Sequence, residues 1–499
     1  MRFARIAATL TAFAVVGNAR TCTETEVVIL GAGVAGVTAA ETLHKNGVED
    51  FIVLEYQDRI GGRMHEVTFG KGQQYVVEAG ANWVHGTGGP ETHVNPIWDL
   101  AIKANLRTLT SDVENATVYD QTGEIPPELL FNALKAVSDA DSKVLADAGI
   151  RLHHHLEDRT YRAALRRQGW NPKETNQYEQ LADYLAFDSV TAAKAKETSE
   201  IYTAVTTNAT AKFFSHREEF SFDQRGFSII LRNVADPLFE GQNAWRLRKN
   251  TIVKEIEHDD DSVTVHSTDG KCVRAKYAIM TFSLGVLQHP EAVKFTPELP
   301  RWKKDAITSF EMVTYTKIFM QFPHSFWPKN QYLYYADPNT RGYYPLFQPL
   351  DVPGVLEGSN ILVVTVVNDQ AYRVERQSED KTQAEIMEVL RKIFGDETIP
   401  EPIGIFYARW TQMPWSYGSY SNWPPAVSAQ THRNLRANVG RVFFAGEATS
   451  PNFSGFLHGA YYEGKRAAKS ITSCHDGPGW GDCSMAEGTD GERILCGNG

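Results

Sequence analysis

The sequence predicts an α/β fold with a doubly wound parallel sheet, together with a second domain of mixed β-sheet and helices. The prediction depends first on the order of elements at the start of the chain. An apolar strand from Glu26 to Leu30 runs into a glycine-rich turn and a helical stretch to Lys45, and a second apolar strand spans Phe51 to Leu54. A strand, turn, helix and strand in this order form the opening unit of a doubly wound sheet.

The glycine-rich turn has the spacing Gly31-x-Gly33-x-x-Gly36. Such glycines permit a tight turn, a close approach of backbone to a pyrophosphate, and tight packing of helix on strand. Glu55 follows Gly36 by about 20 residues and comes directly after the second strand, where a carboxylate accepts hydrogen bonds from ribose hydroxyls. The pattern indicates a dinucleotide site; the structural alternative is a glycine turn with an unrelated surface glutamate.

The rest of the chain suggests two interleaved domains. Residues from about 125 to 215 have helical spacing, Trp245 to Ile279 reads as a strand meander, and Tyr315 to Val367 contains further strands. A last strand and a helix from about Leu457 to Ile471 follow. The predicted division is a dinucleotide-binding domain from residues 25–105, 220–295 and 405–472, a substrate domain from residues 106–219 and 296–404, and a Gly- and Cys-containing tail at 473–499.

Charge and the N-terminus limit the partners and the location. The formal net charge of -11 argues against nucleic acid as a partner and favours attraction of cations. Arg2 and Arg5 precede an apolar run, Ile6 to Val16, and small residues follow to Ala19. This pattern is typical of a signal peptide, residues 1–19, and the run is shorter than the ~20 residues that span a bilayer. We expect a secreted protein without a membrane anchor, as a monomer or weak oligomer.

Secretion agrees with the sequons and the cysteines. Asn115 and Asn208 begin glycosylation sequons, and a third at Asn452 is expected to stay unmodified because it falls inside a motif discussed next. An oxidising compartment favours one or two disulfides, with the tail as a candidate to be pinned to the body. The cysteine spacing matches no zinc site, so we predict no metal. The five cysteines are Cys22, Cys272, Cys474, Cys483 and Cys496.

Four further motifs carry a family resemblance. They are RIGGRM at residues 59–64, GANWVHG at 80–86, FAGEATS at 444–450 and GFLHGA at 455–460. Together with the glycine turn they resemble the flavin-containing amine oxidases, and most closely the polyamine oxidases, from about Glu26 to Ile471. The resemblance implies that the cofactor is FAD rather than NAD, and that oxygen accepts the electrons.

The resemblance also implies how FAD is held. The glycines of the turn meet the pyrophosphate, Glu55 meets the ribose, and the helix that opens near Phe456 points its N-terminus at the flavin. Covalent relatives carry a cysteine where Ser419 stands here, so we predict non-covalent FAD. The implied cofactor-binding residues are Gly31, Gly33, Gly36, Glu55, Arg59, Gly62, Arg63, Ala81, Asn82, Trp83, Val253, Trp410, Gly446, Glu447 and Phe456.

The resemblance assigns the substrate side as well. Tyr420 and Phe456 match the aromatic pair that flanks the substrate amine, and Tyr315 lines the same pocket; ordinary core packing is the structural alternative for such rings. Lys317 matches a lysine that hydrogen-bonds through water to flavin N5 and assists reoxidation, whereas an outward-reaching lysine is the commoner case. His85 stands where the family divides between glutamate and histidine, and there it could bond a substrate nitrogen. We assign Lys317 and His85 as catalytic.

The expected reaction is oxidation of spermine, spermidine or their acetylated forms. Hydride passes to flavin N5, and an aldehyde, a shorter amine and hydrogen peroxide result. An L-amino-acid oxidase is the nearest alternative, but it requires an arginine aimed at a carboxylate, and the matched motifs supply no clear one. A flavin-dependent desaturase or isomerase, and an FAD-binding protein without turnover, are the further alternatives; neither needs Lys317 and the aromatic pair together.

Overall fold

The computed structural model describes residues 22–395 and 399–475 of the 499. The predicted signal peptide lies outside this part of the chain, and so does the predicted tail beyond residue 475. Within the described residues, no helix has both the length and the apolar character needed to cross a membrane. The last helix reaches His475, which is further than the Ile471 expected from the sequence.

The secondary structure comprises strands β1 to β22 and helices α1 to α14. The strands are β1 Thr23–Leu30, β2 Phe51–Leu54, β3 Glu66–Phe69, β4 Tyr75–Glu78, β5 Trp83–His85, β6 Thr108–Thr110, β7 Ala116–Asp120, β8 Gly123–Glu124, β9 Glu218–Ser221, β10 Leu247–Arg248, β11 Val253–His258, β12 Val263–Ser267, β13 Cys272–Met280, β14 Lys294–Thr296, β15 Glu311–Val313, β16 Tyr315–Gln321, β17 Tyr332–Tyr335, β18 Leu346–Pro349, β19 Ile361–Val367, β20 Gly404–Tyr407, β21 Tyr420–Asn422 and β22 Val442–Phe444. The helices are α1 Val34–Lys45, α2 Pro96–Lys103, α3 Glu128–His153, α4 Tyr161–Arg167, α5 Gln177–Asp183, α6 Ser189–Thr191, α7 Glu200–Phe213, α8 Ile229–Phe239, α9 Leu284–Gln288, α10 Arg301–Ser309, α11 Asn368–Arg376, α12 Glu379–Phe394, α13 Ala429–Arg436 and α14 Leu457–His475.

Local sequence explains where several helices begin and end. The Ser378 side chain accepts a hydrogen bond from the Lys381 backbone N–H at the start of α12, and two acidic residues follow in its first turn. Both features stabilise a helix N-terminus. Gly395 follows the last residue of α12 with φ +86°, a conformation that glycine adopts without steric cost. A π-helical turn, Tyr184–Asp188, interrupts the helical region between α5 and α6.

The larger sheet confirms the predicted α/β fold. Its strand order is β10-β2-β1-β13-β12-β11-β14, with β22 paired to β13. The strands β2, β1, β13 and β22 run parallel. All of β2 and β22 and the last four residues of β1 and β13 are buried because helices cover the sheet. Strands that are distant in sequence therefore meet side by side, and their carboxyl ends share one edge where glycine turns follow β1, β2 and β22.

A second sheet of seven strands has the order β20-β16-β19-β18-β17-β7-β8. All its pairings are antiparallel except that of β17 with β7, so the sheet is mixed, as expected. Strand β20 begins one residue before the domain boundary drawn at residue 405 and pairs with β16 here. The small sheet β5-β9-β6 brings the GANWVHG motif against β9.

One disulfide joins Cys22 to Cys272, with Cα atoms 4.7 Å apart. The pair stands at the start of the β1 and β13 ladder, where Thr23 lies opposite Val273. The bridge therefore ties two neighbouring strands of one sheet and does not pin the tail to the body. Cys483 and Cys496 lie outside the described residues, and so does the side chain of Cys474.

Candidate active site

The glycine turn after β1 leaves bare backbone at the carboxyl edge of the sheet. Gly31 has φ +109°, and its N–H donates to Leu54 O at 2.8 Å. A Cβ at Gly36 would stand 1.9 Å from Gly31 O, so α1 packs on the turn with backbone against backbone. Gly33 caps α1 without any side-chain hydrogen bond to the helix. The first N–H groups of α1 are thus available to an anionic ligand, as a pyrophosphate requires.

A second glycine segment faces the first. Gly61 N–H donates to Ala32 O at 2.9 Å, and a Cβ at Gly62 would lie 3.4 Å from Gly33 Cα. The Arg59 guanidinium donates to the carbonyls of this same loop, which belong to Ile60, Gly62 and Met64. Arg59 therefore braces the turn from behind. Two glycine segments with no side chains between them form a cradle that fits a dinucleotide.

Glu55 occupies the expected place at the end of β2. Its carboxylate is 4% exposed and accepts from the backbone N–H groups of Ala32 at 2.7 Å and Gln57 at 2.9 Å. Burial raises the pKa of Glu55 above its ordinary value. The N–H of Thr251 donates to Glu55 O at 2.8 Å, two residues before Val253 opens β11. Glu55 and Val253, both expected to bind FAD, therefore lie at one end of the cradle.

Arg63 and Glu447 meet on the far side of the cradle. Arg63 Nη1 donates to Glu447 Oε1 at 2.9 Å and to Ser419 O at 2.8 Å. Glu447 Oε2 accepts from Ser421 Oγ at 2.6 Å and from Gly455 N–H at 2.8 Å. Glu447 is 5% exposed and follows Gly446, which has φ +135°. One buried carboxylate thus links three of the motif segments.

Trp410 is also buried but belongs to a different layer. It is 2% exposed and packs with Ala79 and Ala408, and its ring lies 5.5 Å from that of Trp415. Because Ala79 follows β4 directly, Trp410 supports the segment that leads into GANWVHG. Trp410, which precedes Tyr420 in the sequence, therefore packs next to the GANWVHG motif.

Lys317 is buried within β16 rather than directed to solvent. Its side chain is 4% exposed, and Nζ donates to Gly80 O at 2.6 Å and to Asn82 Oδ1 at 2.9 Å. The ammonium lies 5.5 Å from the centre of the Trp83 ring. Burial lowers the pKa of Lys317, while the negative charge of Glu78 opposes that change. The GANWVHG motif therefore holds the lysine, and Ala81 N–H fixes the motif in turn by donating to Arg63 O at 3.1 Å.

The aromatic side chains gather in two groups. Tyr420 packs with Tyr315 and with Tyr184 of the π-helical turn, and Tyr420 OH donates to Val190 O at 3.0 Å. Burial raises the pKa of all three tyrosines, so their hydroxyls stay neutral at ordinary pH. A Cβ at Gly455 would lie 3.6 Å from the Tyr420 ring. Phe456, the next residue, therefore adjoins the tyrosine group.

Phe456 stands between two histidines. Its ring meets the His85 ring edge-on with centroids 5.4 Å apart and stacks on the His458 ring at 5.0 Å. His458 is held by Asn95 Nδ2 at 3.3 Å and Thr210 Oγ1 at 3.1 Å. Burial lowers the pKa of His458, which keeps that ring neutral. Phe456 precedes α14 directly, as the sequence predicts.

Sequence reasoning missed the partner of His85. Glu218 lies directly opposite His85 in the pairing of β5 with β9, and His85 Nδ1 is 2.8 Å from Glu218 Oε1. Tyr184 and His458 were missed as well. No local pattern indicates Glu218 or Tyr184; His458 lies within the GFLHGA motif, but its contacts with Asn95 and Thr210 join segments far apart in the sequence.

The fold, the glycine cradle and the buried lysine define a flavin-dependent oxidoreductase of amines. Residues 34–472 match the family model for the flavin containing amine oxidoreductases, and the chain belongs to this family. FAD is its cofactor, and the protein is an FAD-dependent amine oxidase that acts on small-molecule amines with oxygen.

Individual relatives are similar over nearly the whole length. Polyamine oxidase 1 of Zea mays is 35% identical over 464 residues, which cover 90% of this chain and 90% of that protein. Polyamine oxidase 7 of Oryza sativa subsp. japonica is 35% identical over 453 residues, 88% of this chain and 93% of that one. A solved structure of putrescine oxidase bound to putrescine has a TM-score of 0.71 and 18% identity over 91% of this chain and 100% of that chain, a likeness of fold.

Proposed function

We propose that this protein is a polyamine oxidase that acts on spermine, spermidine or their acetylated forms. The observation that carries the proposal is the buried Lys317, which the GANWVHG motif holds at Gly80 and Asn82, two residues along β16 from Tyr315. The 35% identity to plant polyamine oxidases over about nine tenths of the chain supports it. The products are an aldehyde, a shorter amine and hydrogen peroxide.

When bound, FAD accepts a hydride from the carbon next to the amine nitrogen and passes the electrons to oxygen. The chain must present that amine without its proton, which costs about 4 kcal/mol at pH 7 for an alkylamine. Walls of Tyr315, Tyr420 and Phe456 disfavour the charged form because they exclude water and carry no charge. The rings also confine a slim alkyl chain.

Lys317 is the group that can exchange a proton close to the reaction. Because burial lowers its pKa, Nζ can lose and regain a proton nearer to neutral pH than an exposed lysine can. Its acceptors Gly80 O and Asn82 Oδ1 fix its position. We propose that Lys317 holds the proton that oxygen takes up as peroxide forms.

FAD is held without a covalent bond in this proposal. Ser419 stands where covalent relatives have cysteine, and its hydroxyl accepts from Tyr315 N–H at 2.9 Å. A serine hydroxyl in this role serves to join β16 to the segment before β21. Precipitation of the protein with acid should therefore release all of the yellow flavin into the supernatant, whereas colour that stays in the pellet would contradict the proposal.

We also propose that the protein is secreted, and that the predicted domain division holds except at residues 405–407, which pair with β16 of the second sheet. Asn115 is exposed and Asn208 is partly exposed, as glycosylation requires, whereas Asn452 is 4% exposed and is expected to stay unmodified. When a eukaryotic host secretes the protein, enzymatic deglycosylation should lower its mass by the mass of two glycans, one from Asn115 and one from Asn208. A mass unchanged by the treatment would contradict this part of the proposal.

Anaerobic mixing tests the substrate class directly. Spermidine should bleach the flavin absorbance within the time of mixing, and L-amino acids should leave it unchanged. Analysis of the aldehyde then identifies which side of the secondary amine is oxidised. Bleaching by L-amino acids alone would instead favour the L-amino-acid oxidase, because that activity shares the fold and the cofactor.

A further inference from the structure

We propose that Glu218 determines specificity by binding a second ammonium group of the substrate, distant from the carbon that is oxidised. The inference rests on the proposed function, since a polyamine carries such a group and a simple amine does not. Neither the motifs nor the family resemblance assigns a role to this residue.

Glu218 faces the same side of its sheet as the active-site motif. In the pairing of β5 with β9, His85 lies opposite Glu218 and Trp83 lies opposite Phe220. Residues two apart in a strand share a face, so these four side chains lie together. The Trp83 ring is 5.5 Å from Lys317 Nζ, and the His85 ring meets Phe456 at 5.4 Å. Glu218 therefore borders the space between the lysine and Phe456.

The pair of Glu218 and His85 lies in a recess. Protein surrounds both side chains, yet 45% of Glu218 and 39% of His85 remain accessible. Burial raises the pKa of Tyr315 on β16 and of Tyr332 on β17, and the negative charge of Glu218 adds to both shifts. The carboxylate is therefore within electrostatic reach of the pocket wall. A small cation can approach it through this accessible surface.

The neighbouring Glu219 has a different environment and serves as an internal comparison. Its side chain points to the opposite face, is 2% exposed, and accepts from Thr110 Oγ1 and from Arg217 Nε, both at 2.7 Å. An arginine thus compensates its charge permanently. The cationic groups that act on Glu218 in the described part of the chain are the histidines His85 and His216, and a histidine can lose its proton.

A histidine partner suits a site where a substrate ammonium group replaces the positive charge of His85 next to Glu218. Although burial acts in the opposite direction, the charge and hydrogen bond of Glu218 raise the pKa of His85. When an ammonium group binds to the carboxylate, His85 can release its proton and the charge of the pair stays balanced. The other titratable groups that face the pair are His458 behind Phe456, His216 beside Glu218, and the tyrosines Tyr315 and Tyr332.

The test compares Glu218→Gln with the wild-type holoenzyme on two ligands. Spermidine carries terminal ammonium groups, whereas N-propylbutylamine has the same secondary amine and lacks both. Flavin reduction is followed by anaerobic stopped-flow absorbance at increasing ligand concentrations, and the concentration that gives half of the maximal reduction rate is the apparent dissociation constant of each ligand. The variant should bind spermidine roughly 10-fold or more weakly, the loss typical of a charge-assisted hydrogen bond, and bind N-propylbutylamine unchanged. In turnover, KM for spermidine should rise while kcat changes little.

Two further variants sharpen the comparison. Glu218→Asp keeps the charge and should retain a preference for spermidine. If Glu218→Gln does not fold, this variant still tests whether the charge is what binds spermidine. Glu298→Gln makes the same chemical change at a side chain that is 82% exposed, and should leave both ligands unaffected. In Glu218→Gln the acid limb of kcat/KM should move to lower pH, because His85 loses the charge that raises its pKa; a purely structural residue would leave that limb in place.

The outcomes separate this inference from the proposed function. Peroxide from spermidine together with an equal loss of affinity for both ligands in Glu218→Gln would overturn the role of Glu218 and leave the polyamine oxidase standing. Wild-type protein that neither binds spermidine nor produces peroxide from it would overturn both.

Discussion

Arg63 and Glu447 form a largely buried ion pair, with Nη1 and Oε1 2.9 Å apart, between segments separated by 384 residues. Arg63 belongs to the second glycine segment, and Glu447 follows the last strand of the larger sheet. The same carboxylate receives Gly455 N–H, just before Phe456. The pair therefore joins the cofactor cradle to the aromatic side of the site, and its loss should affect both.

Replacement of Arg63 should weaken FAD binding. Arg63→Gln leaves Glu447 without its cation in a buried site, which is strongly unfavourable. We expect the affinity for FAD to fall roughly 10-fold or more, measured by titration of the apoprotein with FAD. Arg301→Gln, at a side chain that is 93% exposed, should bind FAD as the wild type does. Equal affinities of Arg63→Gln and wild type for FAD would mean that the ion pair does not contribute to FAD binding.

The glycine cradle should not tolerate a methyl group at Gly36. A Cβ there would stand 1.9 Å from Gly31 O, and backbone cannot yield by that distance without opening the turn. Gly36→Ala should be purified with little flavin absorbance per protein. Gly149→Ala, inside α3, meets no atom within 4 Å and should keep full flavin content with slightly higher stability. Full flavin content in Gly36→Ala would contradict the backbone contact.

Removal of the Lys317 amine should separate the two halves of the reaction. We expect Lys317→Met to slow reoxidation of the reduced flavin by oxygen roughly 100-fold, because proton transfer from a positioned group is lost. Reduction by spermidine under anaerobic conditions should change far less. Stopped-flow absorbance measures each half separately. Lys304→Met, at a side chain that is 51% exposed, is the control. Reoxidation at the wild-type rate in Lys317→Met would overturn the role of the amine.

The carboxylate of Asp223 gives a stability prediction with a defined pH window. Although burial acts in the opposite direction, hydrogen bonds from Arg225 and from the backbone of Arg107 lower the pKa of Asp223 to about 2. A lowered pKa in the folded state means that the stabilisation is complete above the ordinary value near 4 and is lost as pH falls from there towards 2. Asp223→Asn should therefore cost about 1 kcal/mol at neutral pH, a figure reduced for solvent screening.

Thermal unfolding at several pH values measures this effect. The difference in Tm between wild type and Asp223→Asn should be largest at pH 6–7 and should shrink below pH 4. Asp139→Asn, at a side chain that is 59% exposed, should show little difference at any pH. A difference that is independent of pH would mean that Asp223 acts through its shape rather than its charge.

The predictable part of the fold was the part encoded by neighbouring residues. The strand, turn and helix around Gly31 follow from local periodicity and glycine spacing, and the structure confirms them. Helical periodicity likewise predicts a helix near Thr382 to Ile393; α12 covers it but begins earlier, at Glu379. The π-helical turn at Tyr184–Asp188 could not, because it depends on packing of Tyr184 against Tyr315 and Tyr420.

The site was predictable only where a motif carried it. Periodicity placed Lys317 in an apolar strand but left two directions for its side chain. In the structure the side chain is buried, because Gly80 O and Asn82 Oδ1 accept hydrogen bonds from its amine. The pairs of His85 with Glu218 and of Cys22 with Cys272 join segments 133 and 250 residues apart. Only the sheet topology brings them together, and one sequence does not reveal that topology.

The most direct test of the central claim is peroxide production by the purified yellow protein across a panel of amines. The panel contains spermine, spermidine, their acetylated forms, benzylamine and L-amino acids. We expect one mole of hydrogen peroxide for each mole of secondary amine oxidised, and none from benzylamine or amino acids. Flavin-loaded protein that produces no peroxide from any polyamine would contradict it.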